Sequence, residues 1–433
     1  MVDSREVRSG DCFVALCGEN FDGHDFLPQV LAKGAAGVVV SRSMSRADLG
    51  AGAFFVRVED TSSALLSIAH AHRMRRRAKV IGITGSCGKT STKDMLGEVL
   101  GRVMPTVQSP QSFNNHVGVP LTIFQVSRET RAAVVEIGTN APGEIEQLAA
   151  VAKPDIGIVT RVDESHLMRL HTLRGVALEK SNLVAALRAD GLAILNGDDP
   201  SSSWMRDVTD ARVLEVRVGR EADWFATDVQ FHGLGTSFRL QGETAVTLPR
   251  LGTHNVYNAL FTIAAARELG VSEDDILAGL CDVPPTARRL ECKRLGDIAI
   301  IDDTYNSNLA SARAALLALT GLKTGGRRLV VLGEMLELGD QSEAMHRQLG
   351  DEVARSSVDL LVTVGEGALP LAQAALSAGM KSSSVHAVAD PQAALEMLEP
   401  ELRSGDWLLC KASRGVGLDR LVDGLEERLS ARV

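Results

Sequence analysis

A glycine-rich loop between a predicted strand and a predicted helix constrains the fold of this chain more than any other feature. In VIGITGSCGKTST, the apolar run over 80–84 is followed by Gly85 and Gly88, and then by Lys89 and Thr90. A short apolar run bounded by glycine predicts a buried strand, and a helix is predicted to begin near Lys89. A strand, a glycine turn and a helix in this order predict a phosphate-binding loop on a parallel α/β sheet.

The chemistry of such a loop explains its residue types. Small residues are needed because backbone N–H groups wrap the phosphates, while Lys89 reaches the terminal phosphates and Thr90 can bind Mg²⁺. The usual spacing has a glycine where Ile83 stands, so the loop is a variant. The alternative is a glycine-rich turn without a ligand. The predicted nucleotide-binding residues of the loop are Gly85, Ser86, Cys87, Gly88, Lys89, Thr90 and Ser91.

Cys87 has two interpretations. Its position beside a helix N-terminus is one that can activate a thiol. The other interpretation is a small side chain that fills the turn.

The rest of the chain predicts three domains, because 433 residues exceed what one core usually holds. Strand-like and helix-like segments alternate twice, which predicts mostly parallel sheets. THNVYNALFTIAAARELG predicts a helix with Thr253 as N-cap and Gly270 as its stop, and 205–250 predicts β-hairpins inserted in the middle domain. The predicted boundaries are 1–76, 77–290 and 291–433.

Charge and cysteine usage exclude several classes of protein. The formal net charge of -9 argues against a general nucleic-acid binder, and the basic run RMRRRAKV (73–80) is interpreted as a solvated helix end before a linker rather than a nucleic-acid patch. The six cysteines form no Cys-x-x-Cys pair, which predicts a reduced, cytoplasmic protein. No window resembles a membrane span or an export signal. A monomer without membrane or nucleic-acid partners is expected.

Two further polar residues follow predicted strands. Glu136 ends the strand AAVVEIG, where a carboxylate beside the loop can hold the metal, and His166 follows DIGIVT. Strand carboxyl ends form the usual ligand crevice of an open parallel sheet. The alternative for His166 is a structural role.

Several segments resemble, in order, the Mur ligase family of peptidoglycan synthesis. GITGSCGKTSTKDML, SFNNHVGVPLT, VVEIGTNAPGEIEQLA and LGTHNVYNALFTIAAA resemble the family's central domain. The opening DSREVRSGDCFVALCGENFDGHDF resembles its uridine-nucleotide-binding domain, although relatives generally carry one more strand and helix before it. The resemblance implies an α/β fold of three domains, with a central P-loop ATPase domain and a C-terminal Rossmann-like domain.

The later segments IDDTYNSNLASARAAL and VLGEMLELGD resemble those family members that add a D-alanyl-D-alanine dipeptide. The resemblance therefore implies an ATP-dependent peptide ligase. A tripeptide carboxylate on UDP-N-acetylmuramic acid would attack ATP, and the acyl phosphate would then react with the dipeptide amine. The chain lacks the Asp-Asn-Pro-Arg motif of third-residue ligases.

The resemblance also implies roles for individual residues. Lys89, His166 and Arg289 would be catalytic, with Lys180, which related ligases can carbamylate. Thr90, Glu136 and His166 would hold Mg²⁺. The further implied contacts to ATP are Asn114, His254, Asn255, Asn258, Asp303 and Asn306. The implied substrate contacts are Ser4, Arg5, Asp22, Gly23, His24, Tyr305 and Asn308.

Departures from the family pattern keep other functions open. Arg161, Val162 and Asp163 precede Ser165–His166 where the family usually has Asn-Ile-Gly, and Arg288 stands where glycine usually precedes Arg289. The alternatives are a third-residue-adding Mur ligase, a folylpolyglutamate-type ligase, and a non-catalytic nucleotide-binding regulatory protein.

Overall fold

The chain forms three successive α/β units, each with its own sheet. The computed structural model describes residues 1–18, 20–44 and 52–430. The last residues of the third predicted domain, 431–433, lie outside this description. In the described part, no helix has the length and apolar character needed to cross a bilayer.

The first unit is a small parallel sheet. Its strands are β1 (Cys12–Val14), β2 (Gly37–Val40) and β3 (Phe54–Arg57), and its helices are α1 (Leu27–Ala32) and α2 (Thr61–Arg73). Asp60 caps α2 by accepting hydrogen bonds from the backbone N–H groups of Ser62 and Ser63. Ala69 of α2 lies in a buried cluster with central-sheet residues such as Val80. The helix therefore ties the first unit to the second.

The central unit is built on a sheet of nine strands among the described residues. The strands are β4 (Lys79–Thr84), β5 (Thr106–Gln108), β6 (Ala132–Glu136), β7 (Ile156–Val159), β8 (Leu192–Asn196), β9 (Arg212–Val218), β10 (Trp224–His232), β11 (Gly235–Leu240) and β12 (Thr244–Leu248). The helices are α3 (Lys89–Gly101), α4 (Gly118–Phe124), α5 (Glu144–Ala152), α6 (Leu167–Leu170), α7 (Leu173–Ala185), α8 (Ser201–Asp207), α9 (Thr253–Glu268) and α10 (Glu273–Asp282).

The strand order places the glycine loop at a natural ligand crevice. The order is β12-β11-β10-β9-β8-β7-β4-β6-β5, and β4 pairs in parallel with both β6 and β7. The chain runs from β4 to one side of the sheet and later returns to β7 on the other. Such a change of direction opens a crevice at the carboxyl ends of the strands.

The third unit is a six-stranded sheet within the described range. The strands are β13 (Glu291–Leu295), β14 (Ile298–Asp303), β15 (Arg328–Gly333), β16 (Leu360–Val364), β17 (Val385–Val388) and β18 (Trp407–Lys411). The helices are α11 (Leu309–Thr320), α12 (Ser342–Ala354), α13 (Leu369–Ser377), α14 (Pro391–Leu398) and α15 (Asp419–Ser430). All pairs are parallel except β13 with β14. The predicted α/β class with parallel sheets is confirmed.

Two predictions for the central unit are wrong in detail. The segment 205–250 is not a hairpin insertion throughout, because β9 joins β8 in parallel after α8 and β10 joins β9 in parallel. Within this segment, only the pairs β10–β11 and β11–β12 are antiparallel. The N-cap of α9 is Gly252 rather than Thr253, which is the first helical residue.

The basic run RMRRRAKV is not wholly a solvated helix end. Arg73 is 8 % exposed. Its guanidinium donates to the backbone carbonyls of Ala152 and Lys153 and to Asp155. Arg76 is half-buried and its Nε donates to the carbonyl of Val126, while Arg75, Arg77 and Lys79 are exposed. Two arginines of the run thus contact the central unit.

The connector between the second and third units holds a strained residue. Arg288 has a φ of +59°, in the left-handed region that favours glycine. Its guanidinium forms ion pairs with Asp419 and Asp423 of α15. These contacts hold Arg288 in place. The family resemblance implies a glycine at this position, directly before Arg289.

Candidate functional site

The loop after β4 has the geometry of a phosphate-binding loop. Gly85 has a φ of +149°, and a Cβ there would lie 1.9 Å from Thr160 Oγ1. Gly88 has a φ of +86° and directly precedes α3. Both positions therefore require glycine. Lys89 Nζ donates to the carbonyl of Gly85 at 2.6 Å, which holds the ammonium over the loop.

A cavity of about 430 Å³ opens beside this loop, between the central and third units. The central unit contributes Lys89, Glu136 and His166, and the connector contributes Arg289. The predicted residues that line it are Ser86, Lys89, Asn114, Glu136, His166, Arg289, Tyr305, Asn306 and Asn308. Cationic, carboxylate and amide groups from two units thus meet around one space.

Glu136 is a buried carboxylate with one oxygen unpaired. It is 1 % exposed, and Asn114 Nδ2 donates to its Oε1 at 2.8 Å. Its Oε2 has no hydrogen-bond partner among the described residues. A buried carboxylate oxygen without a partner is costly unless a cation joins it. Thr90, predicted as a metal ligand, is 4 % exposed in the first turn of α3, with its Oγ1 3.5 Å from Ser112 Oγ.

His166 lies on the same cavity but is held by the third unit. Its Nδ1 is 2.7 Å from an oxygen of Glu337, so the two units meet through this pair. Burial lowers the pKa of His166, and the charge of Lys89 acts in the same direction, while Glu337 opposes both. The pair fixes the ring orientation and leaves Nε2 for another ligand.

Lys180 is buried behind the phosphate loop on α7. It is 1 % exposed and therefore lies on the buried face of its helix. Burial lowers the pKa of its ammonium to about 7, and the charge of Lys89 adds to the effect. It does not line the 430 Å³ cavity. A large fraction of this lysine is therefore neutral, and nucleophilic, near pH 7.

A second cavity of about 120 Å³ lies on the other side of the loop. Asp303 Oδ2 accepts from Lys411 Nζ at 2.6 Å, and both side chains are buried. The ring of Tyr305 has Arg289 over it at 4.1 Å. The predicted residues that line this cavity are Ser86, Cys87, Gly88, Ser91, His254, Asn258, Arg289, Asp303, Tyr305, Asn306 and Asn308.

His254 lines the second cavity, whereas its neighbour Asn255 in α9 does not. Burial lowers the pKa of His254 to about 4, so its ring is neutral at pH 7. Its Nε2 accepts from Asn255 Nδ2, and its Nδ1 is buried without a partner among the described residues. Asn255 also donates to the carbonyl of Leu251 and lines neither cavity. The described contacts of Asn255 are thus with its own helix and with the ring of His254.

Cys87 is not an activated thiol. Burial raises its pKa to about 12, and Asp163 adds to the rise. The interpretation of Cys87 as a small side chain in the turn fits this environment.

Alkylation will distinguish the two cysteine environments. We expect iodoacetamide at pH 8 to modify Cys281, which is exposed, much faster than Cys87, because only a thiolate reacts and Cys87 is almost wholly a thiol at that pH. Peptide mapping by mass spectrometry measures both rates in one sample. Equal labelling of the two cysteines would contradict the assigned environment of Cys87.

The predicted substrate residues of the first unit form a separate group. Asp22 Oδ1 is 2.6 Å from His24 Nδ1, and Ser41 N donates to the other ring nitrogen. Arg5 pairs with Asp3 at the surface, and the carbonyl of Ser4 accepts from Lys33. None of Ser4, Arg5, Asp22, Gly23 and His24 lines either cavity.

Sequence reasoning missed several residues that line the cavities. Lys411 ends the predicted strand DWLLCK, so the rule that ligands gather at strand carboxyl ends could have identified it. Ser112 lies in a turn, Arg414 begins a short 3-10 helix, and Glu337 lies in the irregular part of VLGEMLELGD, so the strand-end rule identifies none of the three. The positions Gly85 and Thr90, predicted to bind nucleotide, shape the loop from within rather than line a cavity.

A P-loop at the crevice of a parallel sheet, faced by a second α/β unit, is typical of P-loop nucleotide-binding proteins of several domains. Three family models match in order: Mur ligase family, catalytic domain, at residues 1–73; Mur ligase middle domain at 83–266; and Mur ligase, glutamate ligase domain, at 288–414. The chain belongs to the Mur ligase family.

Individual relatives agree with this assignment. The chain is 35% identical over 427 residues to UDP-N-acetylmuramoyl-tripeptide--D-alanyl-D-alanine ligase of Bacillus subtilis. The match covers 98% of this chain and 92% of that relative. It is similar to the crystal structure of MurF from Acinetobacter baumannii, with 33% identity, a TM-score of 0.89, and coverage of 99% and 93%. It is also similar to MurF ligase from Thermotoga maritima in complex with ADP, with 26% identity, a TM-score of 0.89, and coverage of 100% and 98%.

Proposed function

We propose that this chain joins D-alanyl-D-alanine to UDP-N-acetylmuramoyl-tripeptide at the expense of ATP, in the synthesis of peptidoglycan precursors. The observation that carries the proposal is the 430 Å³ cavity, where the phosphate loop, Arg289 and the Tyr305–Asn308 segment meet. Relatives that carry this activity in their names match nearly the whole chain. The central unit and the third unit meet at this cavity, so ATP and the dipeptide would each be held by one of them.

The charges of the cavity suit phosphoryl transfer to a carboxylate. The tripeptide carboxylate and the ATP phosphates repel each other, so cations must bring them together. Lys89 would bind the terminal phosphates from the loop, and Arg289 would reach the transferred phosphoryl group from the connector. Attack of the carboxylate releases ADP and leaves an acyl phosphate. The dipeptide amine then displaces phosphate and forms the amide bond.

The residues around Glu136 fit a magnesium ion. Glu136 offers a buried, unpaired carboxylate oxygen, and oxygen ligands are those that Mg²⁺ prefers. Thr90 and His166 would join Glu136 as its ligands, and Glu337 would orient His166. When bound, the ion neutralises phosphate charge. The residues themselves hold the nucleotide's phosphates beside the incoming carboxylate.

His254 and the Asp303–Lys411 pair would hold the nucleotide on the side of the second cavity. The neutral ring of His254 presents an unpaired nitrogen there, and Asn258 lies beside it. Tyr305 and Asn308 would contact the dipeptide, since they line both cavities next to Arg289. The similar MurF ligase from Thermotoga maritima was solved in complex with ADP, which supports the binding of an adenine nucleotide by this chain.

The three units divide the work of the reaction. We assign residues 1–76 to the UDP-sugar peptide through Ser4, Arg5, Asp22, Gly23 and His24, 77–290 to ATP, and 291–433 to closure and the dipeptide. The protein acts as a monomer in this proposal. We place it in the cytoplasm, where ATP is present and its six free cysteines stay reduced.

Carbamylation of Lys180 is a further part of the proposal. An amine adds CO₂ only when neutral, and the pKa of about 7 keeps much of Lys180 neutral at physiological pH. We expect a carbamate signal in ¹³C NMR after incubation with labelled bicarbonate. Because Lys180 is protonated below its pKa, this signal should fall as the pH drops from 8 to 6.

Two variants serve as controls for this measurement. Lys180→Ala should lose both the carbamate signal and most of the turnover, and a small carboxylate such as acetate should restore part of the turnover. Lys180→Arg cannot form a carbamate and leaves no space for acetate. A wild-type enzyme without the signal, or an alanine variant at full activity, would contradict the assignment.

Release of phosphate tests the proposed reaction. With ATP, UDP-N-acetylmuramoyl-tripeptide and D-alanyl-D-alanine together, we expect steady phosphate release, and omission of any one substrate should abolish it. Replacing the dipeptide with a diamino acid or with glutamate distinguishes the third-residue and folylpolyglutamate-type ligases. Phosphate release that is indifferent to the dipeptide would overturn the proposal.

A further inference from the structure

A group of surface cations lies at the edge of the central sheet that is farthest from the phosphate loop. Lys79 begins β4 and Gly85 follows its other end, so about 20 Å of strand separates the two edges. We call this group the basic edge. Its members are Arg75, Arg76, Arg77, Lys79, Arg128, Arg131, Lys153 and Arg188.

The members of the basic edge lie next to one another. Arg76, Arg77, Lys79, Lys153 and Arg188 line one depression of about 400 Å³. Arg75 and Arg76 also line a neighbouring depression together with Arg128. The carbonyl of Arg131 accepts from the backbone N–H of Lys79. The cations therefore form one continuous surface.

Most of these charges lack a carboxylate partner. Asp155 contacts the buried Arg73 at 3.1 Å, and Lys79 reaches it only at 3.5 Å. Arg188 is 3.6 Å from Asp155 and pairs with the exposed Asp190 at 3.1 Å. In the described part of the chain, Arg75, Arg77 and Lys153 have no ion pair. Elsewhere, arginines such as Arg313 and Arg327 pair closely with Glu352 and Asp406. In a chain of net charge -9, this surface is an exception.

Apolar side chains lie among the cations. Met74 is 62 % exposed on the depression that holds Arg77 and Lys79. Ile68 is 43 % exposed beside Arg75 and Arg128. The ring of Phe124 is already packed edge-on against His72 at 5.8 Å. The surface thus combines positive charge with aliphatic groups and offers no open aromatic ring for stacking on a base.

We propose that the basic edge is a docking surface for a bilayer that contains anionic phospholipids. Lys and Arg side chains near such a bilayer gain about 1 kcal/mol each, and exposed aliphatic groups such as Met74 and Ile68 enter the headgroup boundary. The negative charge of the rest of the chain turns this edge toward the lipid. The catalytic cavities open at the opposite edge and stay accessible. This proposal departs from the sequence-based expectation of no membrane partner.

Vesicle sedimentation tests the proposal with the full chain. We expect the protein to pellet with phosphatidylcholine vesicles that contain 30 to 40 mol % phosphatidylglycerol, a composition of roughly the charge at which the polybasic effect operates. Pure phosphatidylcholine should not pellet it, and raising the salt concentration should release it. The double variant Arg75→Glu/Arg77→Glu should bind the anionic vesicles at least roughly 30-fold more weakly, from the loss of two favourable cations.

Matched controls separate surface charge from folding and from total charge. Lys323→Glu/Lys381→Glu makes the same change of charge at exposed lysines of the third unit, and should bind as the wild type does. Both double variants should keep the thermal midpoint and the turnover in solution. Met74→Ser should weaken binding without changing its salt dependence.

Three results would overturn the proposal. They are equal binding to neutral and anionic vesicles, equal loss of binding in both double variants, and tighter binding to duplex DNA than to anionic vesicles at the same salt concentration. The last result would assign the surface to nucleic acid instead.

Discussion

Replacement of Lys89 by alanine is expected to lower the turnover of the dipeptide ligation by at least roughly 10³-fold, the upper range for loss of one preorganised charge at a reacting group. Lys89 is the cation that the phosphate loop itself supplies, and its Nζ is held over the loop by the carbonyl of Gly85. Neither Arg289 nor His166 can take its place, because both approach from other segments. Steady-state phosphate release measures the loss.

The controls for Lys89 separate charge from folding. Lys79→Ala removes an exposed lysine at the start of β4, the strand that precedes the loop, and should leave turnover within about twofold, as surface changes usually do. Lys89→Arg keeps the charge but not the shape, and should recover only a small part of the rate. If Lys89→Ala retained a tenth of the wild-type rate or more, the loop would not hold the reacting phosphates. A wild-type chain that binds ATP without any ligase rate would support the regulatory alternative.

Replacement of Glu136 by glutamine is expected to lower turnover by roughly 10²- to 10³-fold, while the affinity for UDP-N-acetylmuramoyl-tripeptide changes by less than about threefold. The asymmetry follows from its position. Glu136 faces the loop cavity with an unpaired oxygen, whereas the predicted uridine-sugar residues lie in the first unit. Isothermal titration with the nucleotide sugar and phosphate release measure the two effects separately.

A stability measurement adds an independent test for Glu136. Because the unpaired carboxylate oxygen is costly to bury, Glu136→Gln should unfold at the same temperature as the wild type or a higher one without metal. The extra stability that Mg²⁺ and ADP give the wild type should be largely lost. Glu146→Gln, at an exposed position of α5, is the matched control. Equal loss of nucleotide-sugar affinity and turnover in Glu136→Gln would contradict the metal assignment.

Much of the fold follows from local sequence signals. The apolar runs that became β4, β6, β7 and β8 are short and bounded by glycine or charge, so their identity as strands depends on few assumptions. The segment that became β9 alternates apolar and polar residues, as a strand of a hairpin also does. Only its pairing with β8 distinguishes the two, and pairing depends on contacts distant in sequence.

The candidate site likewise contains some residues that the sequence predicts and some contacts that it does not. Glu136 and Asp303 end their strands, and Lys89 and His166 lie in the segments that follow the carboxyl ends of β4 and β7, so chain position predicts that each lies near such an edge. Glu337 reaches His166 from another unit through an irregular segment and a left-handed backbone, with φ +64°. No local pattern encodes such a contact. Arg288 is similar, because its glycine-like backbone is held by acidic residues of a helix more than a hundred residues away.

The mass of the product tests the central claim most directly. After incubation with ATP, Mg²⁺, UDP-N-acetylmuramoyl-tripeptide and D-alanyl-D-alanine, mass spectrometry should find the nucleotide sugar extended by the dipeptide with loss of water. One ADP and one phosphate should form for each product molecule. ATP hydrolysis with an unchanged nucleotide sugar, or extension by a single amino acid in place of the dipeptide, would contradict the account.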